Sequence, residues 1–438
     1  MYNYKPLIAL CFGYFMVIID VTVVNVAIAA LSLDMHIGLS NLEWVVDAYT
    51  LTFSALLLST GYFSDRYGAH KIFQLGLVIF TLASFLCGIA PTFLFLLIAR
   101  LLQGFGAALL VPTSLSLINF SYSNKVELTK AVGIWAAVAG IAAAFGPILG
   151  AFITTIFSWR GIFFINIPFG IVCFILTNKW VARPSPHSDR AKFDTLGQVF
   201  SILSIAALSY ALIEVSNKHL LLLAYCLFIC SFVGFIFTEY FTKSPMLPLK
   251  LFHSKGFNIS ILVGFLLNMG FYGQLFLLPM YFQHIKSYPI LLSGLAISPL
   301  MFFVPLGSFL SGKVMNYLSI RYTIFIGFAI STLGLLGIFI VIKYNLNYIF
   351  FITPLLFIGF GTSFIMPAAT VASIKSVAPT ETGIASGTLN TMRQLGSLVG
   401  VALFGTITAI STSFDQGVQY AVIGAIITFI IGIILSFL

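Results

Sequence analysis

Charge is scarce in this chain. Only 8% of its 438 residues are Asp, Glu, Lys or Arg, 60% are hydrophobic, and the mean hydropathy is +1.08. So little polar surface cannot cover a water-soluble globule, which leaves an all-α integral membrane protein once the apolar runs are measured below. Residues for metal or covalent chemistry are also few. The five cysteines, Cys11, Cys87, Cys173, Cys226 and Cys230, all fall inside apolar runs and read as packing residues. Cys226 and Cys230 share a helical face, but no further ligand stands near them, so neither a metal site nor a cofactor is expected. The six histidines are dispersed over loops and span ends, whereas a membrane enzyme needs clustered nucleophile, base or metal ligands. A net charge of +9 would suit nucleic acid only if it were gathered on one face. Here the bases are scattered between apolar runs, which suits a lipid bilayer and its headgroups. The first apolar run is too long for a cleavable signal and lacks a small-residue cleavage site.

Long apolar runs are what the chain has in abundance. A hydrocarbon core of ~30 Å needs roughly 18 or more residues of helix, and the backbone of an open strand could not be satisfied there. Six runs of that kind lie near 6–31, 43–63, 71–91, 93–119, 130–157 and 160–179. A polar stretch from Ala182 to Asp194, with two prolines and alternating charges, then reads as a linker. Eight more runs follow near 196–214, 220–238, 257–283, 290–312, 322–342, 348–372, 383–410 and 418–438. The run at 196–214 is the least apolar, since it carries Gln198 and several serines. With the N-terminus inside, fifteen of the twenty-one Lys and Arg fall on the cytoplasmic side. Only Arg160, Lys218, Lys286 and Lys343 fall outside, so both termini are placed in the cytoplasm and the helix count is even.

The sequence also repeats itself. Gly104-Phe-Gly106-Ala-Ala-Leu-Leu-Val-Pro112 is echoed by Gly359-Phe-Gly361-Thr-Ser-Phe-Ile-Met-Pro367. The loop from Gly61 to Lys71, which reads Gly-Tyr-Phe-Ser-Asp-Arg-Tyr-Gly-Ala-His-Lys, is echoed by Gly312 to Arg321 with Asn316 in place of Asp65. Two halves of six helices are implied, with two further helices inserted between them. The expected division is an N-terminal bundle at 1–180, a linker with the inserted helices at 181–250, and a C-terminal bundle at 251–438.

The loop resembles the signature between helices 2 and 3 of major facilitator transporters. Further motifs follow in order: Ile19-Asp20 to Asn25, Glu43-Trp44-Val-Val-Asp47, Arg100-Leu-Leu-Gln103-Gly104, Gly146-Pro147-Ile-Leu-Gly150, Trp159-Arg160 to Asn166, and Asn390-Thr-Met-Arg393-Gln394. Together they resemble the drug/proton antiporters with fourteen helices. That resemblance implies a major facilitator fold of two six-helix bundles plus two inserted central helices. It implies export of amphipathic or hydrophobic molecules in exchange for protons across the cell inner (plasma) membrane. It also implies that Gly61, Asp65, Arg66, Gly68 and Lys71 form a conformational latch. Gly146, Pro147 and Gly150 are the helix motif that accompanies antiporters, although the same residues equally serve a kink and close helix packing. A periplasmic adaptor is a partner only if the host has an outer membrane. Export of a specific metabolite, such as a siderophore or a lipid-like compound, is the rival within transport, and a receptor or scaffold would leave the buried charges unexplained.

Ionisable residues inside the spans carry the most information, because each costs ~2.5 to 3.5 kcal/mol at the bilayer centre unless it faces a cavity or a partner. Asp20 and Arg100 lie at comparable depth and are expected to carry proton coupling. Asp47, Asn25, Gln103, Asn390, Arg393 and Gln394 are expected to line a substrate pocket. Asp47 reads equally as an interfacial residue near the outer end of its helix. Abundant Phe, Leu, Ile and Met favour bulky apolar or amphipathic substrates over sugars or small anions.

Overall fold

A computed structural model describes residues 4–122, 124–184, 193–215, 218–242, 245–378 and 381–438, without the side chains at 65, 125, 126, 129, 136 and 316. Among the described residues, fourteen helices are long and apolar enough to cross a membrane. They are α1 (Lys5–Met35), α2 (Leu39–Ser64), α3 (Ala69–Gly88), α4 (Phe93–Ser121), α5 (Lys130–Phe157), α6 (Gly161–Trp180) and α7 (Thr195–Ile213). The rest are α8 (Lys218–Phe241), α9 (Lys255–His284), α10 (Ile290–Met315), α11 (Ile320–Lys343), α12 (Ile349–Lys375), α13 (Thr382–Ile410) and α14 (Phe414–Phe437). The chain is a multi-pass membrane protein. Most of the expected linker, 185–192, lies outside the described residues, as do Arg190 and Lys192.

Glycine sets where the helices touch. A Cβ on Gly104 of α4 would strike the Tyr49 carbonyl of α2, and one on Gly106 would lie 2.7 Å from the Phe80 nitrogen of α3. The echo behaves in the same way. A Cβ on Gly359 of α12 would strike the Leu300 carbonyl of α10, and one on Gly361 would lie 2.5 Å from the Gly327 carbonyl of α11. The two glycine pairs therefore do equivalent work in the two repeats. In α5, a Cβ on Gly150 would lie 2.7 Å from the Val23 carbonyl of α1 and one on Gly146 would strike Thr22, while a Cβ on Gly294 of α10 would lie 2.7 Å from the Pro147 carbonyl. The glycine and proline motif is thus a contact point for two helices at once.

Apolar packing is not uniform along the bundle. One large cluster joins the Glu43-end parts of α1, α2, α4, α5 and α6, such as Val24, Val46, Ala99, Ile153 and Phe163, to side chains of α9–α14. Towards the Gly68 end, α1–α6 have their own cluster around Leu10, Phe53 and Phe73, and α9 and α13 have a separate one around Phe257 and Leu389. The two sets of helices are sealed by one shared cluster at the Glu43 end, whereas towards the other end their clusters are separate. At the sealed end Asp34 accepts from Trp159 Nε1 at 3.0 Å and pairs with Arg160 at 2.7 Å, tying α1 to the turn before α6.

The helices α7 and α8 differ in kind. Gln198 is buried, donates to the Ala55 carbonyl at 2.9 Å and accepts from Ser59, so the polar residues that weaken the apolar pattern of α7 fix it to α2. Only 17% of the apolar window of α8 is buried. Cys226 and Cys230 accordingly lie exposed on α8, which corrects their reading as packing residues, while Cys11, Cys87 and Cys173 are buried as expected.

Candidate functional site

Three residues singled out in the sequence converge in the membrane. Asp20 of α1 pairs with Arg100 of α4 through a 2.6 Å contact, and the same carboxylate accepts from Gln103 Nε2 at 2.7 Å. Two residues outside the expected set complete the site. Asn166 of α6 donates to Asp20 at 2.9 Å, and Ser84 of α3 accepts from Gln103 at 2.8 Å. Arg100 also donates to Gln103 Oε1 at 2.7 Å and, through Nε, to the Val45 carbonyl of α2 at 2.9 Å. Its guanidinium lies over the Tyr49 ring, 4.5 Å from the centroid, and 5.8 Å from that of Phe163. All five polar side chains are at most 1% exposed. A buried ion pair is stable only when its remaining hydrogen-bond capacity is also met, and here five helices meet it. Asn166 is legible in the sequence as a polar residue in an apolar run that opens a helix. Ser84 offers no such signal, because serine is common in membrane helices.

Asp47 presents the opposite arrangement. The helix starts at Leu39, four residues before the expected boundary at 43, so Glu43 and Asp47 sit one and two turns inside it. Both are fully buried, and none of their four carboxyl oxygens has a hydrogen-bond partner among the described residues. Glu43 packs against Gly405 of α13, where a Cβ would lie 2.5 Å from its carboxyl carbon. The adjacent Thr406 spends its hydroxyl proton on the Leu212 carbonyl of α7 at 2.6 Å. Glu43, absent from the expected pocket, therefore lies in a seam between α2, α7 and α13.

The other expected pocket residues divide between the two sets of helices. Asn25 is buried and donates to the Val21 carbonyl of its own helix at 3.1 Å. Asn390, Arg393 and Gln394 lie half-buried on α13. Arg393 donates to Asn390 Oδ1 at 3.2 Å and reaches Met366 Sδ at 3.3 Å, while its buried Nε has no partner. Tyr272 of α9 stands within electrostatic reach of both Arg393 and Tyr49, so it links the two groups of residues across the bundle.

At the Gly68 end the expected latch is only partly engaged. Gly68 has φ 93°, a left-handed value that a side chain would strain, and its N–H closes α2 on the Ser64 carbonyl at 3.0 Å. Nothing lies within 4 Å of where a Cβ on Gly61 would be. Arg66 and Lys71 are exposed, and Arg66 bonds Tyr62 of its own helix. The Asp65 side chain lies outside the described residues. His70 is buried and faces the Thr177 carbonyl of α6 at 3.4 Å.

The chain is similar to known proteins along almost its whole length. The model of the family described as Major Facilitator Superfamily matches residues 10–401. The chain is 33% identical to the methylenomycin A resistance protein of Bacillus subtilis (strain 168), over 95% of this chain and 90% of that protein. It is 32% identical to a protein of the same name from Streptomyces coelicolor, over 97% and 90% of the two chains. Similarity to the multidrug resistance protein Stp of Mycobacterium tuberculosis is 30%, over 95% of this chain and 78% of that one.

Proposed function

The chain belongs to the Major Facilitator Superfamily, and we propose that within it this protein exports amphipathic or hydrophobic small molecules in exchange for protons by alternating access. Relatives named for resistance to methylenomycin A and to multiple drugs favour drug export over export of a specific metabolite. With both termini in the cytoplasm, as the distribution of Lys and Arg favours, the Gly68 end faces inward and the described state is inward-facing. The observation that carries the coupling is the closed network around Asp20. In this state Arg100, Gln103 and Asn166 all donate to one carboxylate.

The donors all belong to α1–α6, so the coupling requires that opening the outer end shift α1 against α4 and α6 within that set; a carboxylate that loses its donors in a dry core takes up a proton instead. Asp20 then loads from outside and releases when the donors close around it again. Unpaired and enclosed in the seam, Glu43 and Asp47 meet water only when α2 and α13 part at the outer end. A membrane potential supplies ~2.3 kcal/mol per elementary charge per 100 mV, so proton entry can drive accumulation outside. Gly61, Asp65, Arg66, Gly68 and Lys71 then act at the inner end, as a latch that engages when that end closes.

The test is proton release from everted vesicles offered one cationic, one neutral and one anionic compound. Asp20→Asn is expected to abolish substrate-linked proton movement for all three. Continued exchange with any of them refutes the coupling role of Asp20.

A further inference from the structure

Two arginines lie inside membrane spans, and their surroundings differ. Arg100 has a carboxylate at 2.6 Å, an amide, a carbonyl and an aromatic face. Arg393 has no carboxylate partner among the described residues. It has one 3.2 Å bond to the Asn390 amide oxygen, a thioether at 3.3 Å, and a buried Nε bonded to nothing. Counted from Thr382 at ~1.5 Å per residue, it stands about 16 Å into α13. A guanidinium cannot shed its charge in a protein, so a cation at that depth requires an anion or water.

The surroundings of Arg393 also suit a ligand. Its side chain is half-buried rather than sealed, and its stem rests on Gly264 of α9, where a Cβ would come within 3.0 Å of Cγ. Tyr14 and Tyr272 stand within electrostatic reach of the guanidinium, and Trp135 stacks on Tyr14 with ring centroids 3.8 Å apart and planes 6° from parallel. No ring among the described residues covers the guanidinium, and a planar cation with an unused donor near aromatic side chains suits an aromatic or otherwise apolar body that ends in an anionic group.

We propose that Arg393 is the seat of a carboxylate or sulfonate carried by the exported substrate, with the apolar body lying against Tyr14, Trp135 and Tyr272. The inference rests on the exporter reading and narrows its substrate class to amphipathic anions.

A matched pair of probes tests this. The sulfonate 8-anilinonaphthalene-1-sulfonate and the neutral N-phenyl-1-naphthylamine share one aromatic skeleton and differ by the anionic group. Binding is measured on the full chain in lipid nanodiscs with empty discs subtracted. Arg393→Gln is expected to raise the Kd of the sulfonate at least about tenfold and to leave that of the amine within about twofold, with Arg393→Lys between the parent and the Gln variant. Equal weakening of both probes, or of neither, overturns the proposal. Should the Gln variant fail to fold, the parent decides. There 2-naphthoate is expected to displace the sulfonate and its methyl ester is not, and equal displacement overturns the proposal. Transport separates the two readings. Gradient-driven export of the amine without Arg393-dependent preference sinks the anion seat alone. The preference in binding, without movement of either probe, supports the seat and sinks the exporter.

Discussion

The Asp20–Arg100 pair yields the sharpest prediction, because removing one member and removing both have different consequences. Removing one partner of a buried pair leaves an uncompensated charge and costs about 3–5 kcal/mol. Asp20→Asn strands a guanidinium that keeps the Val45 carbonyl, the Gln103 amide oxygen and the Tyr49 ring. Arg100→Gln strands a carboxylate that keeps the Gln103 and Asn166 amides. Each residue retains partners, so each single variant falls near the low end, at about 3 kcal/mol. Asp20→Asn combined with Arg100→Gln puts two neutral amides where the ions stood, and amides can bond each other and their neighbours. The double variant is therefore expected within about 1 kcal/mol of the parent, with a coupling energy of several kcal/mol. The assay is SDS-driven unfolding in mixed micelles, with proton exchange in everted vesicles measured alongside. Stability should return in the double variant and proton exchange should not. Additive losses refute the pairing, and proton exchange restored with stability refutes the coupling role.

Other consequences follow from burial and close approach. Glu43→Gln and Asp47→Asn fill the same volumes with neutral groups, so each is expected to cost less than about 1 kcal/mol, and a loss above about 3 kcal/mol shows that the carboxyl is ionised and paired. Gly104→Ala is expected to destabilise by about 1–3 kcal/mol because the obstructing atom belongs to the Tyr49 backbone, whereas Gly61→Ala, in open space within a helix, should be neutral or stabilise by up to about 1 kcal/mol. A cysteine at Tyr344, which is 66% exposed, should react with an external impermeant thiol reagent and one at Arg183 should not; the reverse pattern inverts the orientation.

The membrane class was readable because it depends on summed hydropathy, and the spans emerge to within a few residues for the same reason. Boundaries near polar residues were harder to place. Leu39–Leu42 belong to α2, but a hydropathy reading stops at the acidic Glu43, so Glu43 and Asp47 read as interfacial residues. Their enclosure depends on Gly405, 362 positions away along the chain, and no local pattern encodes that contact. Asp20, Arg100 and Gln103 were legible because ionisable and amide side chains are conspicuous in apolar runs. Asp20 and Arg100 were grouped only from matching depth, and Gln103, expected in the substrate pocket, bonds both of them. The acceptor Ser84 and the donor Asn166 join the site only because α3 and α6 pack against it.

The glycines show where a sequence reading of function can be physically underdetermined. Gly146-Pro147-Ile-Leu-Gly150 accompanies antiport by resemblance and close packing by composition, and the contacts with Val23 of α1 and Gly294 of α10 make the second literal. These readings are compatible. α1 carries Asp20, and α10 lies across the parting between the two sets of helices, so α5 touches both the coupling helix and the opposite set at one short segment. Any rocking of the sets must slide Gly294 over the Pro147 carbonyl, and α1 is fixed to the same turn through Thr22 and Val23. A motif that packs this closely transmits the opening of the outer end to Asp20, whose neighbour Thr22 lies two residues along the same helix.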